Sequence, residues 1–420
     1  MSPASNRKSD TGVSNGTSAD SPTHRLRLAH LADTHLGYTA YGKADPESGR
    51  NQRAVDIENS FAAAITDILT RDVDLVLHAG DVFHHTRPSW TTLSHVVRQL
   101  RRLEAANIPA VVIAGNHDTP RLRTTGSVYA LLALALPGIE FVFGYDAEER
   151  VFDQLGLRVH AVPHGALTNP DPPFIVPDSA RRNVVVAHGV VPGYMPQGRR
   201  EVRREPGEEA LKGNVLDTGF DYIALGHEHL RGQAGINAWY SGSTERTSWG
   251  DQMAQPGYAV VTLGGNVPDV DYIDLPARPM ETLHPIDGEG RTARDLADMI
   301  LERAAALALP EAMVRVELSH TPRPLFRETE AIVRRETGDA VWHIRLTSPG
   351  DFIDLTDGQG PDRLANLQPL ALFDEFVEER LATGIYDRDF GERFSTRGRA
   401  ALEAALLRGH EASVNEDAGG

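Results

Sequence analysis

The chain has 420 residues, no cysteine, and 42 Lys+Arg against 59 Asp+Glu, a formal net charge of −17. Its 40% hydrophobic and 24% charged residues are the composition of an ordinary folded chain, long enough for two or three domains. The missing cysteines exclude a disulfide framework, a thiolate nucleophile and any Cys-ligated zinc or iron–sulfur centre; the acidity argues against a general polyanion binder.

Residues 1–24, rich in Ser, Asn, Thr and Asp, predict a disordered tail without an apolar signal segment. Apolar runs at 26–31, 75–77, 110–114, 183–187 and 222–225 predict strands. Helical periodicity at 55–70 and 93–105 lies between some of them. This alternation predicts an α/β layer fold, with 142–275 strand-rich. A Pro-rich stretch at 276–285 predicts a linker. Beyond it, helix 292–309, strand 313–318, helix 325–335 and strand 341–346 predict a small α+β domain. After a turn at 348–351, residues 363–408 predict mostly helices, with an apolar face over 370–381. The end, 411–420, reads as a second tail. No run approaches the ~18 apolar residues of a membrane span, so the expected compartment is the cytoplasm.

The charge is uneven. Residues 271–420 hold 29 acids and 17 bases, a net of −12, which leaves −5 for the first 270. A local basic groove or metal ions could still receive phosphate there.

Five motifs carry the chemistry: Asp33-Thr34-His35, Gly80-Asp81, Gly115-Asn116-His117-Asp118, His188-Gly189 and Gly226-His227-Glu228-His229. Each directly follows an expected strand, and ligands in open α/β sheets bind beyond the carboxyl ends of strands. Thirteen of the 17 histidines lie before residue 230. A lone histidine is more often structural than a ligand, but strand-end Asp, Asn and His in one domain change that balance. Alternate residues of an extended segment point the same way, so Asp33 with His35, or His227 with His229, can grip one ion. Carboxylate, amide and imidazole donors without sulfur suit manganese, iron or zinc. Seven candidate donors are too many for one ion with an open position. A pair of ions ~3.5–4 Å apart would fit in-line phosphoryl displacement. His117 is placed to act as the proton donor or charge partner at the leaving oxygen.

The ordered set D-x-H, GD, GNHD, H, GH-x-H resembles the signature of calcineurin-like metallophosphoesterases. Longer strings, HLADTHLGY (30–38), HAGDVFHHTRPSW (78–90), VIAGNHDTPR (112–121), GHEH and YSGSTERTSWGD (240–251), resemble the SbcD-type nuclease family of double-strand-break repair. The resemblance spans roughly 25–275 and is weaker over 280–410. It implies a metallophosphoesterase β-sandwich flanked by helices (25–275), a small α+β capping domain (280–350) and a helical partner-binding segment (351–410). It implies Asp33, His35 and His229 on one ion, Asn116, His188 and His227 on a second, and Asp81 bridging. His117 would assist phosphodiester cleavage, and His84, with His85 beside it as the other candidate, would serve exonucleolytic processing. The implied activity is a manganese-dependent 3′–5′ exonuclease on duplex ends and endonuclease on single strands, dimeric, partnered by an SbcC-type coiled-coil ATPase. A phosphatase or small-molecule phosphodiesterase on the same fold is the competing reading. A scaffold without activity would be expected to have lost ligands, and all seven positions are filled.

Several features have a plainer reading beside the functional one. Arg199, Arg200, Arg203 and Arg204 are a solvated loop or DNA-phosphate contacts. Asn51 and Arg53 are a helix cap and a surface charge, or face DNA. The 370–381 face packs on its own domain or docks on the ATPase. Trp239 and Trp249 are expected to pack rather than stack on bases. Glu228 departs from the apolar residue often found there and is expected beside the site or exposed. Three Lys against 39 Arg is also unexpected in a DNA binder.

Overall fold

This computed structural model describes residues 25–171, 173–195, 208–217, 219–265, 267–349, 377 and 393–400. The chain divides into two compact units, Met1–Thr356 and Asp357–Gly420. The first half of the larger unit runs β1 (Leu26–Leu31), α1 (Gln52–Ile68), β2 (Leu75–His78), α2 (Trp90–Ala105), β3 (Ala110–Ile113), α3 (Tyr129–Ala135), β4 (Ile139–Val142), β5 (Glu148–Phe152), β6 (Leu157–Val162), α4 (His164–Leu167) and β7 (Arg182–His188). It continues through β8 (Tyr222–Gly226), β9 (Gly232–Gln233), β10 (Ala238–Tyr240), β11 (Gly257–Leu263) and β12 (Asp269–Asp274). Then come β13 (Met280–Thr282), β14 (Ile286–Asp287), α5 (Ala293–Ala306), β15 (Met313–Ser319), α6 (Arg323–Glu336) and β16 (His343–Thr347).

Two six-stranded sheets form the body, ordered β12-β11-β1-β2-β3-β4 and β5-β6-β7-β8-β10-β9. In the first, β1 to β4 are parallel; in the second, β6, β7, β8 and β10 are. Parallel neighbours need crossovers, and α1 and α2 supply them for β1 to β3. The sheets face each other through Leu28, Leu75, Leu77 and Ile113 from one and Val159, Val184, Val186 and Tyr222 from the other. The alternate residues Ala29, Leu31, Val76 and Val112 turn outward onto Ile57 and Phe61 of α1, Val96 of α2 and Tyr129 of α3. Both faces of each central strand are thus buried, which is why these strands read as unbroken apolar runs. The outer face of the second sheet is covered differently. Val185, Ala187, Ile223 and Leu225 pack under one-turn α4 and the loop residues Ile175, Val191, Leu211 and Val215. Among the described residues, the longer helices of the sandwich therefore flank one side.

Local signals account for the helix starts. The Asn51 side chain accepts from the Arg53 and Ala54 amides at 3.1 and 3.3 Å, and Ser89 accepts from Thr92 at 3.2 Å. Asn51 is thus the helix cap of the plainer reading. Arg53 is neither a surface charge nor turned to solvent. It is 1% exposed and bonds Asp56 at 2.6 Å and the Arg246 carbonyl at 2.7 Å, with Glu245 at 3.4 Å. A buried guanidinium is tolerable only when its charge is paired in this way.

The third sheet is parallel, with β13, β14 and β16 all pairing with β15. The Pro-rich stretch expected as a linker therefore contributes strand β13. Helices α5 and α6 cover this sheet through Leu296, Ile300 and Val333. The third sheet meets the sandwich where Trp249, Met280 and Met313 pack with Tyr41 and Trp342. Arg278 adds ion pairs to Asp56 at 2.7 Å and Glu311 at 2.6 Å. Trp239 stacks on Tyr222 at 5.5 Å inside the sandwich, so both tryptophans pack as expected. In the second unit residues 393–400 are helical. The rest of the 363–408 stretch, including the 370–381 face apart from Val377, lies outside the described residues, as do Arg199, Arg200, Arg203 and Arg204. Among the described residues no helix is long and apolar enough to cross a membrane.

Candidate metal centre

All five motifs sit at carboxyl ends of parallel strands. Asp33 and His35 follow β1, Asp81 follows β2, Asn116 and His117 follow β3, His188 ends β7, and His227 and His229 follow β8. The loops after β1 and β2 are tied by backbone bonds, Asp33 N to Gly80 O and His35 N to Asp81 O, both 3.0 Å. Four donor-bearing residues hold a left-handed backbone: Asp33 (φ 51°), His35 (49°), Asp81 (55°) and His227 (111°). Each such non-glycine conformation costs about 1–3 kcal/mol and persists only where surrounding structure enforces it. Two motif glycines have a direct reason. Gly80 has φ 94°, and a Cβ there would overlap His188 Nδ1. A Cβ at Gly115 would press on Asp81 Oδ1 and lie 2.5 Å from the Asp81 amide nitrogen.

Three acid and histidine groups assemble, each with ligand atoms within 4.8 Å: Asp33–His35–His229, Asp33–Asp81–His188 and His35–His84–His117. Asp81, in the second group, puts Oδ2 3.5 Å from His188 Nε2 and 3.8 Å from His35 Nε2 of the first. Asn116 Oδ1 is 2.8 Å from His188 Nε2 and 3.3 Å from His227 Nδ1. His35 and His229 bring their Nε2 atoms within 3.0 Å. The seven expected donors therefore share one rim. Asp33 belongs to both of these groups, and it also accepts the His227 amide at 3.0 Å. His117 joins the rim with its ring 4.8 Å from that of His35. Of the adjacent pair, His84 is the one in the cluster, stacked on His117 at 5.2 Å, while His85 is exposed.

The electrostatics show a cluster short of positive charge. Burial alone would lower His188, but Asp81 beside it overrides burial and holds its pKa up to about 9. Burial likewise opposes protonation of His229, and Asp251 overrides it, pushing His229 up to about 10. Burial would raise Asp81, yet His188 next to it keeps it well below the usual carboxylate range. Burial drives His35 well below its ordinary value and leaves its ring neutral. Protons on two histidines thus compensate the acids where a cation could. Neutral and displaceable imidazoles, carboxylates and an amide are a donor set that fits divalent transition ions. Glu228 is half-buried between His227 and His229, and burial raises its pKa.

Three residues near the rim carry work that motif reading did not assign. Asp118 is 1% exposed and accepts from the Val82, Phe83 and Gly115 amides and the Tyr129 hydroxyl, at 2.8–3.1 Å. It buckles the loop after β2 to the loop after β3, and burial with Asp81 nearby pushes it up to about 6. Its signal was visible as the last letter of GNHD. Asp251 faces His229 at 3.0 Å and closes the YSGSTERTSWGD string. Glu208, 3.3 Å from His227 Nε2, had no sequence signal.

The two mixed sheets carry Asp, Asn and His donors at their strand ends, the arrangement expected of a metallophosphoesterase fold. Residues 26–231 match the calcineurin-like phosphoesterase family. The chain is 31% identical over 304 residues to the DNA double-strand break repair protein Mre11 of Haloferax volcanii, covering 70% of this chain and 61% of that protein. It is 26% identical to the Methanosarcina mazei protein of the same name, covering 70% of this chain and 45% of that one. To the Halobacterium salinarum protein it is 28% identical, covering 70% of each. The chain thus spans 61% and 45% of the first two relatives' length. The resemblance read from the motif strings is borne out in this domain and these relatives.

Proposed function

We propose that the chain is a metal-dependent DNA nuclease of double-strand-break repair. It cleaves phosphodiester bonds from 3′ ends of duplexes and within single strands, with manganese, as a homodimer working with an SbcC-type ATPase. The observation that carries this reading is the convergence of seven Asp, Asn and His donors from two sheets on one strained rim. Similarity to repair proteins named Mre11 supports DNA as the substrate. On this reading Asp33, His35 and His229 hold one ion, Asn116, His188 and His227 the other, and Asp81 both. Residues 280–350 cap the site, and 351–410 dock the ATPase.

Bound divalent ions supply Lewis-acid charge at the phosphoryl oxygens and acidify the attacking water. The chain's own residues do the rest. His188 Nδ1 donates to the Ala79 carbonyl at 2.8 Å, so its Nε2 is the nitrogen aimed at the rim. His117 Nδ1 donates to the His84 carbonyl at 3.0 Å. Because a carbonyl only accepts, Nδ1 keeps its hydrogen, and His117 Nε2 is the nitrogen that, once protonated, passes a proton to the leaving oxygen. Asp81 accepts the His117 amide at 2.9 Å, which fixes that ring relative to the donors.

Two results are expected. His117→Leu keeps cation binding and loses about 10²–10⁴-fold in cleavage, the range for a general acid; calorimetry beside a cleavage assay separates the two. Cation loading also releases protons. His188 and His229 are raised, so both carry a proton at neutral pH that a cation must displace. Apparent affinity should therefore rise with pH up to about 9–10 and flatten above. Calorimetry in buffers of different ionisation enthalpy reads the proton count directly.

The deciding experiment incubates purified protein with end-labelled duplex and single-stranded DNA in manganese, magnesium or EDTA, beside bis-p-nitrophenyl phosphate. Manganese-dependent DNA cleavage supports the nuclease. Hydrolysis of the small diester alone, unchanged when the ATPase is added, would overturn it in favour of a small-molecule phosphodiesterase.

A further inference from the structure

We infer that Asp251 is a positioning residue that fixes the tautomer and orientation of His229 for cation binding. The inference rests on the metal reading above. Asp251 is 6% exposed, and its two oxygens have separate tasks. Oδ2 accepts from the Thr247 amide (2.9 Å), the Thr247 hydroxyl (3.0 Å) and the Ser248 amide (2.9 Å). These three donors lock the carboxylate plane. Oδ1 is left for His229 Nδ1 at 3.0 Å.

An ionised carboxylate only accepts hydrogen bonds, so His229 Nδ1 must carry a hydrogen and Nε2 becomes the ligating nitrogen. Nε2 is also the atom that meets His35 Nε2 on the rim. His188 and His117 are oriented by the neutral carbonyls of Ala79 and His84 instead. Of these three rings, His229 alone has a carboxylate within hydrogen-bond distance of Nδ1, whereas Asp33 stays 4.0 Å from His188 Nδ1. The holding turn is itself rigid. Asp251 ends the 3-10 turn Trp249–Asp251, and Trp249 is buried against Met280 and Met313 of the cap with the Arg315 guanidinium 4.9 Å over its ring.

Isosteric replacement discriminates orientation from packing. In Asp251→Asn the three turn donors hold the amide oxygen at the Oδ2 position, so the amide NH2 faces His229 Nδ1. It donates there and drives the hydrogen onto Nε2, the nitrogen that must be bare. In Asp251→Ala the turn loses its acceptor, but water can satisfy Nδ1 and either tautomer is open. Orientation therefore predicts that Asn harms cation binding more than Ala, whereas a packing role predicts the reverse.

The test is manganese titration of full-length wild type, Asp251→Asn and Asp251→Ala by calorimetry, with thermal unfolding in EDTA as the fold control. The expected wild-type result is two ions per chain. Asp251→Asn should weaken one of them by about 10–100-fold and leave the other unchanged. Asp251→Ala should lose less affinity but more thermal stability. Equal affinities in wild type and Asp251→Asn, or a greater affinity loss in Ala than in Asn, would overturn the inference. A wild type that binds no manganese would overturn the metal reading itself.

Discussion

Asp81→Ala is expected to abolish manganese-dependent cleavage, by at least about 10²–10³-fold, while the far-ultraviolet spectrum stays that of the wild type. The effect is large because one side chain serves three purposes. Its Oδ2 lies within 3.8 Å of nitrogens from both donor groups. Its Oδ1 accepts the His117 amide. Its charge holds the proton on His188 that a cation must replace. On the proposed reading, removing it takes a shared donor, loosens His117 and lets His188 titrate as a buried imidazole. The fold survives because the strand beneath, Leu75–His78, is fixed by apolar packing on both faces. Retained cleavage, or two ions bound at wild-type affinity, would remove Asp81 from between the ions.

Gly115→Ala is expected to have a comparable functional effect without touching any donor. The new methyl would press on the Asp81 carboxylate and on the backbone of Asp81, 2.5 Å from its amide nitrogen. Backbone cannot give way there, because the Val82 and Phe83 amides that follow are held by Asp118. Overpacking of this kind typically costs about 1–3 kcal/mol. Here the loop relieves it by displacing the carboxylate, so cation affinity falls with stability. Manganese titration and thermal unfolding in EDTA would read the two separately. Wild-type affinity in the variant would show that the loop can rearrange around the methyl.

How legible this was depends on what each residue leans on. The strands were plain, because β1 to β3 and β7 are buried on both faces and read as apolar runs. The donors were plain too, since Asp, Asn and His recur in five motifs that each follow an expected strand. What escaped were residues whose role depends on contacts distant in sequence. Arg53 reads as a surface charge on a helix, and only its partner Glu245, far along the chain, makes it buried. The β13 strand hides among prolines because β15 supplies its pairing. Asp251 contacts His229 from beyond β9 and β10, and spacing alone gives no hint of that. The longer helices over one face of the sandwich were expected, but the loops over its other face were not, since neither helical nor strand periodicity marks them.

The two sheets contribute unequal shares of the rim, and that division sets what the interior tolerates. Asp33, His35, Asp81 and Asn116 ride on one sheet; His188, His227 and His229 ride on the other. The cluster is therefore a caliper whose jaws are the sheets and whose pivot is the layer of Leu28, Leu77, Val184 and Val186 between them. Ligand distances tolerate only about ±0.2 Å, far less than a methyl group added to or removed from that layer would shift a jaw. On the proposed metal reading, interior drift that folding would forgive would be refused by coordination, and a chain evolving away from catalysis would be released first in the layer between its sheets rather than at its surface.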